Sequence, residues 1–325
     1  MSAWTFHGGR LREAQAVYGQ PIEAWLDLST GINPHPWPHV GVPINWARLP
    51  DEVALGELES SAAQYFGVKP ANLCAVPGTE VGLRLLGGLL PARPAYISPG
   101  YRTYATMTKG VATPVESLMT LKGSSIILAN PNNPDGRIIE YEEMRKLLRR
   151  LSRGQHWLIV DEAFVDVEPG LSVAGLVGEA RSLVVLRSFG KFFGLAGVRL
   201  GFVLGKSALI DKVRHRLGNW PVSAAALAIG SAAYRDAGWI EAMRTTLWDE
   251  AEALDKLLKS YGFAVSGECP LFRLIDAQDA MALFRQLAHH AILTRPFRYN
   301  PRWLRIGLPG TAAAFDRLDR ALANG

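Results

Sequence analysis

The chain has 325 residues, of which 48% are hydrophobic and 20% are charged, and this balance excludes an intrinsically disordered protein. The formal net charge of +5 comes from basic residues scattered among acidic ones, so the charge pattern does not indicate a nucleic-acid-binding protein. The two cysteines lie far apart in sequence, which predicts neither a disulfide framework nor a zinc site.

Targeting and metal-binding signals are also missing from the sequence. The first ten residues lack the basic and then apolar segment of a secretory signal, and the weakly polar segment 221–233 is too short to cross a bilayer. His35 and His39 have the spacing of helical metal ligands, but the prolines between them exclude a helix. We therefore expect a cytoplasmic protein without metal or membrane association.

Helices and strands alternate after the first fifty residues. A short helix is predicted over residues 9–18, and the prolines of segment 33–38 predict a loop. The elements that follow are helix 54–66, strand 73–76, helix 80–90, strands 95–98 and 126–129, helix 141–151, and strands 157–160, 183–187 and 201–204. Short apolar strands separated by helices predict an α/β fold with a mainly parallel sheet, which binds ligands at the carboxyl ends of its strands.

The last third of the chain predicts a smaller α+β domain. Its elements are helical segments between 221 and 261, strand 271–275, helix 279–290, strands 292–295 and 304–307, and helix 312–323. We place the boundary between residues 205 and 218. The predicted organisation is an arm (1–50) that packs with the small domain and the active site, a large α/β domain (51–205) and a small domain (206–325).

A lysine among glycines and aromatic residues follows strand 183–187. Burial lowers the pKa of an amine and frees its lone pair, which formation of an imine requires, so Lys191 is a candidate for covalent chemistry. Ser188 lies three residues before it and Arg199 eight residues after it, so a hydroxyl and a guanidinium can face an anion there. Taken alone, the segment is equally compatible with a surface lysine in a glycine-rich turn.

Candidate ligand-binding residues also follow four other predicted strands. If the ligand is an aromatic cofactor with a pyridine ring, Asp161 can keep the ring nitrogen protonated, and Asn133 can donate its amide to an oxygen on the ring. The turn 77–80 leads into a helix, so its N–H groups and the Thr79 hydroxyl can bind an anion, while Tyr101 can stack on a flat ring. Each of these features, taken singly, also has an ordinary explanation as a cap or a turn.

In order and spacing these segments resemble the fold-type-I enzymes that depend on pyridoxal phosphate (PLP), and among them the histidinol-phosphate aminotransferase-like group of the class I/II aminotransferases. The resemblance covers nearly the whole chain. It implies that Lys191 holds the cofactor as a Schiff base and that Asp161 pairs with the pyridine nitrogen. The other cofactor-binding residues that it implies are Gly78, Thr79, Glu80, Tyr101, Asn133, Ser188 and Arg199, with Asn133 on the ring oxygen, Tyr101 on the ring face and the cluster around Arg199 on the phosphate.

The amino-terminal segments 7–14 and 27–34 resemble those of the L-threonine-O-3-phosphate decarboxylases of cobalamin biosynthesis. In that group the arm closes over the substrate, which implies that His7, Gly8 and Asn33 lie near it. The implied reaction is loss of CO₂ from threonine phosphate to give 1-amino-2-propanol phosphate.

Other family features concern the substrate carboxylate and the second subunit. Segment 303–307 resembles the strand whose arginine binds the substrate carboxylate, which makes Arg305 the candidate. The group usually has tyrosines where this chain has Phe164 and Leu49, so the contacts those tyrosines make are in question. Enzymes of this fold build the site between two subunits, which implies a homodimer.

Alternatives remain at this point. Transamination of a phosphorylated amine such as histidinol phosphate uses the same residues. The resemblance allows a second arginine where this chain has Leu308, so Arg298, Arg302 or His7 is left to bind the substrate phosphate. Segment 201–207 lacks the first glycine of a P-loop, no helix-turn-helix precedes residue 50 to suggest a regulator, and no G-x-S-x-G motif suggests a hydrolase.

Overall fold

The structure is a computed structural model that describes residues 3–5, 7–21, 24–90, 94–108, 110–180 and 182–324. Its helices are α1 (Leu11–Tyr18), α2 (Glu52–Phe66), α3 (Thr79–Gly87), α4 (Thr103–Thr108), α5 (Tyr141–Arg153), α6 (Phe189–Phe192), α7 (Ser207–Leu217), α8 (Ala224–Arg235), α9 (Ala237–Ser260), α10 (Ala280–His289) and α11 (Ala312–Ala323). Within these ranges, no helix combines the length and the apolar character that a bilayer crossing requires.

The strands complete the list of regular elements. They are β1 (Leu26–Asp27), β2 (Leu73–Val76), β3 (Ala95–Ile97), β4 (Ala112–Thr113), β5 (Ile126–Ala129), β6 (Leu158–Asp161), β7 (Leu183–Ser188), β8 (Gly201–Leu204), β9 (Ala264–Ser266), β10 (Phe272–Asp276), β11 (Ile292–Leu293), β12 (Arg295–Phe297) and β13 (Asn300–Gly307).

The chain divides into two compact units. The smaller unit contains Met1–His35, Pro134–Arg137 and Ala242–Gly325, and the larger unit contains Pro36–Asn133 and Ile138–Glu241. The predicted boundary near residues 205–218 differs from this division. Helix α7 packs against β2 and α8 packs against α2, so both helices belong with the larger unit.

The larger unit is built on a sheet with the strand order β2-β8-β7-β6-β5-β3-β4. Strands β4, β3, β5, β6 and β7 run parallel to one another, whereas β8 is antiparallel to both β7 and β2. Residues 189–200 carry only the short α6 and a single 3-10 turn before β8, too little for a crossover helix, so the chain returns antiparallel. The prediction of a mainly parallel α/β sheet is confirmed.

Apolar strand residues account for the core of the larger unit. Every residue of β5, β6, β7 and β8 is buried, as expected for strands covered on both faces. Ile127, Ile159 and Val184 pack with Leu86 of α3 and Ile210 of α7 in one cluster. Because the parallel strands end at a common edge, the residues that follow β5, β6 and β7 are brought together there.

The smaller unit contains an antiparallel sheet with the order β12-β13-β10-β9 and a short parallel pair formed by β1 and β11. Helices α10 and α11 pack against each other in this unit. The first part of the predicted arm, up to His35, belongs to this unit, where the N–H of Leu28 donates to Leu293 O at 2.8 Å and the N–H of Gly307 donates to Leu28 O at 2.7 Å. The rest of the predicted arm, from Pro36 to residue 50, belongs to the larger unit.

Candidate active site

A cavity of about 190 Å³ lies in the larger unit, where β5, β6 and β7 end. The predicted cofactor residues that line it are Gly78, Thr79, Glu80, Tyr101, Asn133, Asp161, Ser188, Lys191 and Arg199. A bigger cavity of about 320 Å³ in the same unit is lined by Cys74, Glu59 and Arg214, and Lys191 does not line it. Chemistry rather than size therefore selects the smaller cavity as the candidate site.

Lys191 lies on α6, directly after β7. The rings of Phe189, Phe192 and Phe193 on either side of it are fully buried and anchor the segment. A Cβ at Gly190 would lie 2.7 Å from the Cα of Ala196, so only glycine allows the loop to fold back this tightly. The lysine is half-buried, and the packing of its aromatic neighbours positions its backbone.

Asp161 is the last residue of β6 and is 5% exposed. Its Oδ2 accepts a hydrogen bond from the Tyr104 hydroxyl at 2.8 Å, and its Oδ1 accepts one from the N–H of Ala163 at 3.1 Å. Burial raises the pKa of Asp161 to about 6, against the opposing effects of these two hydrogen bonds and the charge of Lys191. A cationic ring nitrogen next to this carboxylate would favour its ionised form.

An anion cradle lies between the first turn of α3 and the start of β8. Gly78 has a φ of +85°, and a Cβ there would lie 2.6 Å from Nη2 of Arg199. A Cβ at Gly201 would lie 2.8 Å from the nitrogen of Thr79. These close approaches require glycine, and they place a guanidinium beside the first turn of a helix, where backbone N–H groups favour an anion. Ser188 is opposite Gly201 in the sheet register.

One cavity therefore combines an anion cradle, a buried carboxylate and a lysine. PLP carries a phosphate, a basic ring nitrogen and an aldehyde, so the residues present fit this cofactor. Tyr101 and Asn133, also in the lining, supply a flat ring and an amide. No group of three or more metal-ligating side chains occurs among the residues that the structure describes.

The family model described as aminotransferase class I and II matches residues 41–322. The chain belongs to this family. Threonine-phosphate decarboxylase from Sinorhizobium sp is 40% identical, over 99% of this chain and 99% of its own length. Threonine-phosphate decarboxylase from Pseudomonas aeruginosa is 38% identical, over 97% and 96%. The solved histidinol-phosphate aminotransferase from Sinorhizobium meliloti, in complex with pyridoxal-5'-phosphate, has a TM-score of 0.81 at 19% identity, covering 96% and 93%, and thus shares the fold.

In this member of the aminotransferase class I and II family, the predicted substrate residues all lie in the smaller unit. Gly8 and Arg305 meet at Ser29: a Cβ at Gly8 would lie 2.4 Å from Ser29 O, and Nη2 of Arg305 donates to the same oxygen at 2.8 Å. Asn33 is buried, and its Oδ1 accepts from the N–H of His35 at 2.8 Å. His7 is exposed.

The basic groups left open for the substrate phosphate occupy different environments. Arg298 is exposed, and Arg302 forms an ion pair with Asp276 at the surface. Arg295, which the sequence reasoning missed, is opposite Arg305 in the register of β12 and β13. Burial, followed by the charge of Arg295, lowers the pKa of Arg305 well below its ordinary value. The sequence does predict strands 292–295 and 304–307, and pairing them in a hairpin would have placed Arg295 close to Arg305.

Tyr104 is a second cavity residue that the sequence reasoning missed. It is fully buried in α4, three residues after Tyr101, and donates to Asp161. The Tyr-x-x-Tyr spacing at a strand-to-helix turn was the available signal. Phe164 also lines the cavity, with the Nζ of Lys191 5.6 Å from its ring centroid, whereas Leu49 is 67% exposed.

Proposed function

We propose that this chain is a PLP-dependent decarboxylase that converts L-threonine O-3-phosphate to (R)-1-amino-2-propanol O-2-phosphate in cobalamin biosynthesis. The single observation that carries the proposal is the cavity in which Lys191, the buried Asp161 and the Arg199 cradle occur together. The two relatives at 40% and 38% identity, both named threonine-phosphate decarboxylase, support the choice of reaction.

PLP, when bound, supplies an electron sink for the charge left at the substrate Cα as CO₂ departs. Lys191 would hold it covalently, and Asp161 would keep a proton on its ring nitrogen. In its protonated form, the side chain of Lys191 would be the proton donor to Cα. Tyr101 would cover the ring face and Asn133 its ring oxygen.

The phosphate of the cofactor has its own set of residues. The N–H of Thr79, the hydroxyl of Ser188 and the guanidinium of Arg199 are donors suited to a dianion, and Gly78, whose own N–H donates to Val76 O at 2.6 Å, leaves room for them. Phe164 lines the same cavity without a hydroxyl, so it contributes apolar surface and no hydrogen bond to the ring oxygen.

The substrate carries two anionic groups, a carboxylate and a phosphate, and the smaller unit offers two arginines in register. We assign Arg305 to the carboxylate and Arg295 to the phosphate. Two like charges opposite each other on adjacent strands repel, and this repulsion favours a site that takes up anions. Gly8, Asn33 and His7 of the arm are the further candidates to contact the substrate.

A homodimer in the cytoplasm is part of the proposal. Large hydrophobic side chains are exposed in the larger unit, at 90% for Val40, 75% for Trp46, 67% for Leu49, 73% for Val53 and 56% for Trp220. Exposed apolar residues in this number favour burial by another subunit, and a second copy of the chain is the simplest partner.

The test is a decarboxylation assay on protein loaded with PLP. The holoprotein should absorb visible light, and should release CO₂ from threonine phosphate without 2-oxoglutarate. Lys191→Ala should lose both properties, because its side chain cannot bond to the cofactor, whereas Lys212→Ala on the exposed face of α7 should keep both. Strict dependence on the oxo-acid would instead favour an aminotransferase of the histidinol-phosphate type, which requires the same cavity.

A further inference from the structure

Glu80 lines the candidate cavity from the first turn of α3, yet its carboxylate is already engaged by protein donors. Oε2 accepts hydrogen bonds from the Thr103 hydroxyl at 2.7 Å and from the Tyr101 hydroxyl at 3.0 Å. Oε1 accepts from Nε of Arg84 at 2.8 Å. One carboxylate therefore joins the start of α3 to the turn that carries Tyr101.

The charge of Glu80 argues against a direct contact with the cofactor phosphate, because two anions at that point would repel. Partial burial by itself raises the pKa of Glu80, but the hydrogen bonds from Thr103, Arg84 and Tyr101 outweigh it and lower the pKa overall. Burial, followed by the charge of Glu80, raises the pKa of Tyr101 to about 12, so its hydroxyl remains a neutral donor. Glu80 is thus an anion whose hydrogen bonds are directed at the protein.

Other contacts hold the same turn. The ring of Tyr101 meets the buried ring of Tyr104 edge to face, with centroids 5.8 Å apart. Nδ2 of Asn132 donates to Pro99 O at 3.0 Å, which ties the turn to the segment after β5. The ring of Tyr101 is therefore located by an edge contact and by hydrogen bonds of its hydroxyl with Glu80 and Thr103. Of these contacts, the hydrogen bond to Glu80 is the one that a substitution of Glu80 removes directly.

We propose that Glu80 is a positioning residue, which holds the ring of Tyr101 as one wall of the cofactor cavity and does not itself bind the phosphate. The inference rests on the proposed PLP-dependent function, because the wall matters only if a flat cofactor lies against it. Removing the acceptor should harm cofactor binding, whereas removing only the charge should not.

The test compares the PLP dissociation constants of apoprotein variants, measured by titration at neutral pH. Glu80→Ala should weaken PLP binding about threefold to tenfold, because Tyr101 loses its acceptor. Glu80→Gln keeps an acceptor oxygen and removes the repulsive charge, so it should bind PLP at least as tightly as the wild type. Glu142→Ala is the matched control, since Glu142 also lies in the first turn of a helix but pairs with exposed Arg145 on α5.

A double-mutant cycle shows whether Glu80 acts through Tyr101. Tyr101→Phe should weaken binding to a similar degree, and the double variant should be no weaker than either single variant, a coupling of about threefold or more. The circular dichroism of bound PLP should change alike in Glu80→Ala and Tyr101→Phe and be restored in Glu80→Gln.

Two outcomes would overturn the inference while leaving the proposed function standing. Strictly additive effects in the cycle would mean that Glu80 and Tyr101 act independently. Tighter PLP binding in both Glu80→Ala and Glu80→Gln would mean that Glu80 is only a repulsive charge. A wild-type protein that binds no PLP would instead refute the proposed function, and the inference with it.

Discussion

Asp161 and Glu162 are consecutive carboxylates in the larger unit, and both are buried, but the regions around them stabilise the negative charge differently. Glu162 accepts from Nη1 of Arg187 at 3.3 Å, from the Ser172 hydroxyl at 2.6 Å and from the N–H of Val173 at 2.7 Å. Its charge is matched by an arginine of the fold.

The region around Asp161 is built from neutral donors and faces a cavity. The Tyr104 hydroxyl and the N–H of Ala163 donate to its carboxylate. Burial raises the pKa of both carboxylates, to about 6 for Asp161, so the two differ in their partners and not in the direction of the pKa shift. The difference teaches how to separate a structural acid from a functional one. A buried carboxylate paired with an internal arginine supports the fold, whereas one that faces a cavity is prepared for a cationic group of a ligand.

The largest expected effect is on stability, and it comes from removing the arginine that pairs with Glu162. Arg187 is 3% exposed and forms ion pairs with both Glu162 and Asp166. Arg187→Met should lower the free energy of unfolding by about 3–5 kcal/mol, because two buried carboxylates lose their shared cation. Urea denaturation measures this loss, and Arg145→Met, at an exposed ion pair, is the control that should unfold like the wild type. Equal stability of the two variants would contradict the structural assignment of Arg187.

Removing the charge of Asp161, which faces the cavity, should leave the fold intact and remove activity. Asp161→Asn keeps the size of the side chain and an acceptor for Tyr104, but removes the charge that is to stabilise a protonated ring nitrogen. The rate of decarboxylation should fall about a hundredfold or more, as when other preorganised electrostatic groups are removed. Steady-state assays at saturating PLP measure this, and an Asp161→Asn variant with unchanged turnover would refute the role of Asp161.

A smaller effect is expected on the pH dependence of stability, which reports the raised pKa of Asp161. The pKa of Asp161 is raised in the folded chain, so the folded state binds this proton more tightly than the unfolded state does. Its contribution to stability is therefore present below about pH 4 and is lost as the pH rises through about 6. Apoprotein with Asp161→Asn should thus gain up to about 3 kcal/mol over the wild type between these pH values. Parallel urea curves across that interval would contradict the expected shift.

Much of the fold and of the cavity follows from the sequence, because strand ends can be predicted from apolar runs. Lys191, Asp161 and Ser188 were predicted to lie together because they follow parallel strands, and they line one cavity. Arg295 and Tyr104 were not predicted, because finding them requires the register between two strands and the rotation of a helix about its axis. Neither is fixed by composition or periodicity.

The same limit applies to the division of the chain and to the carboxylates. Helices α7 and α8 have apolar faces, but a sequence does not state which sheet those faces cover. Nothing in the order Asp161-Glu162 distinguishes the acid that meets an arginine from the acid that faces a cavity, because Arg187 reaches Glu162 from another strand. Long-range partners decide these points.

The reversed direction of β8 has a consequence for how the anion cradle is assembled. Gly201, its first residue, is opposite Val76 at the end of β2 and Ser188 at the end of β7. In a wholly parallel sheet, only residues that follow strands gather at the ligand-binding edge. Because β8 begins at that edge, Arg199 reaches it from the chain leading into a strand. Strand polarity thus lets one short excursion of the backbone deliver both Lys191 and the arginine of the cradle to the same side of the sheet.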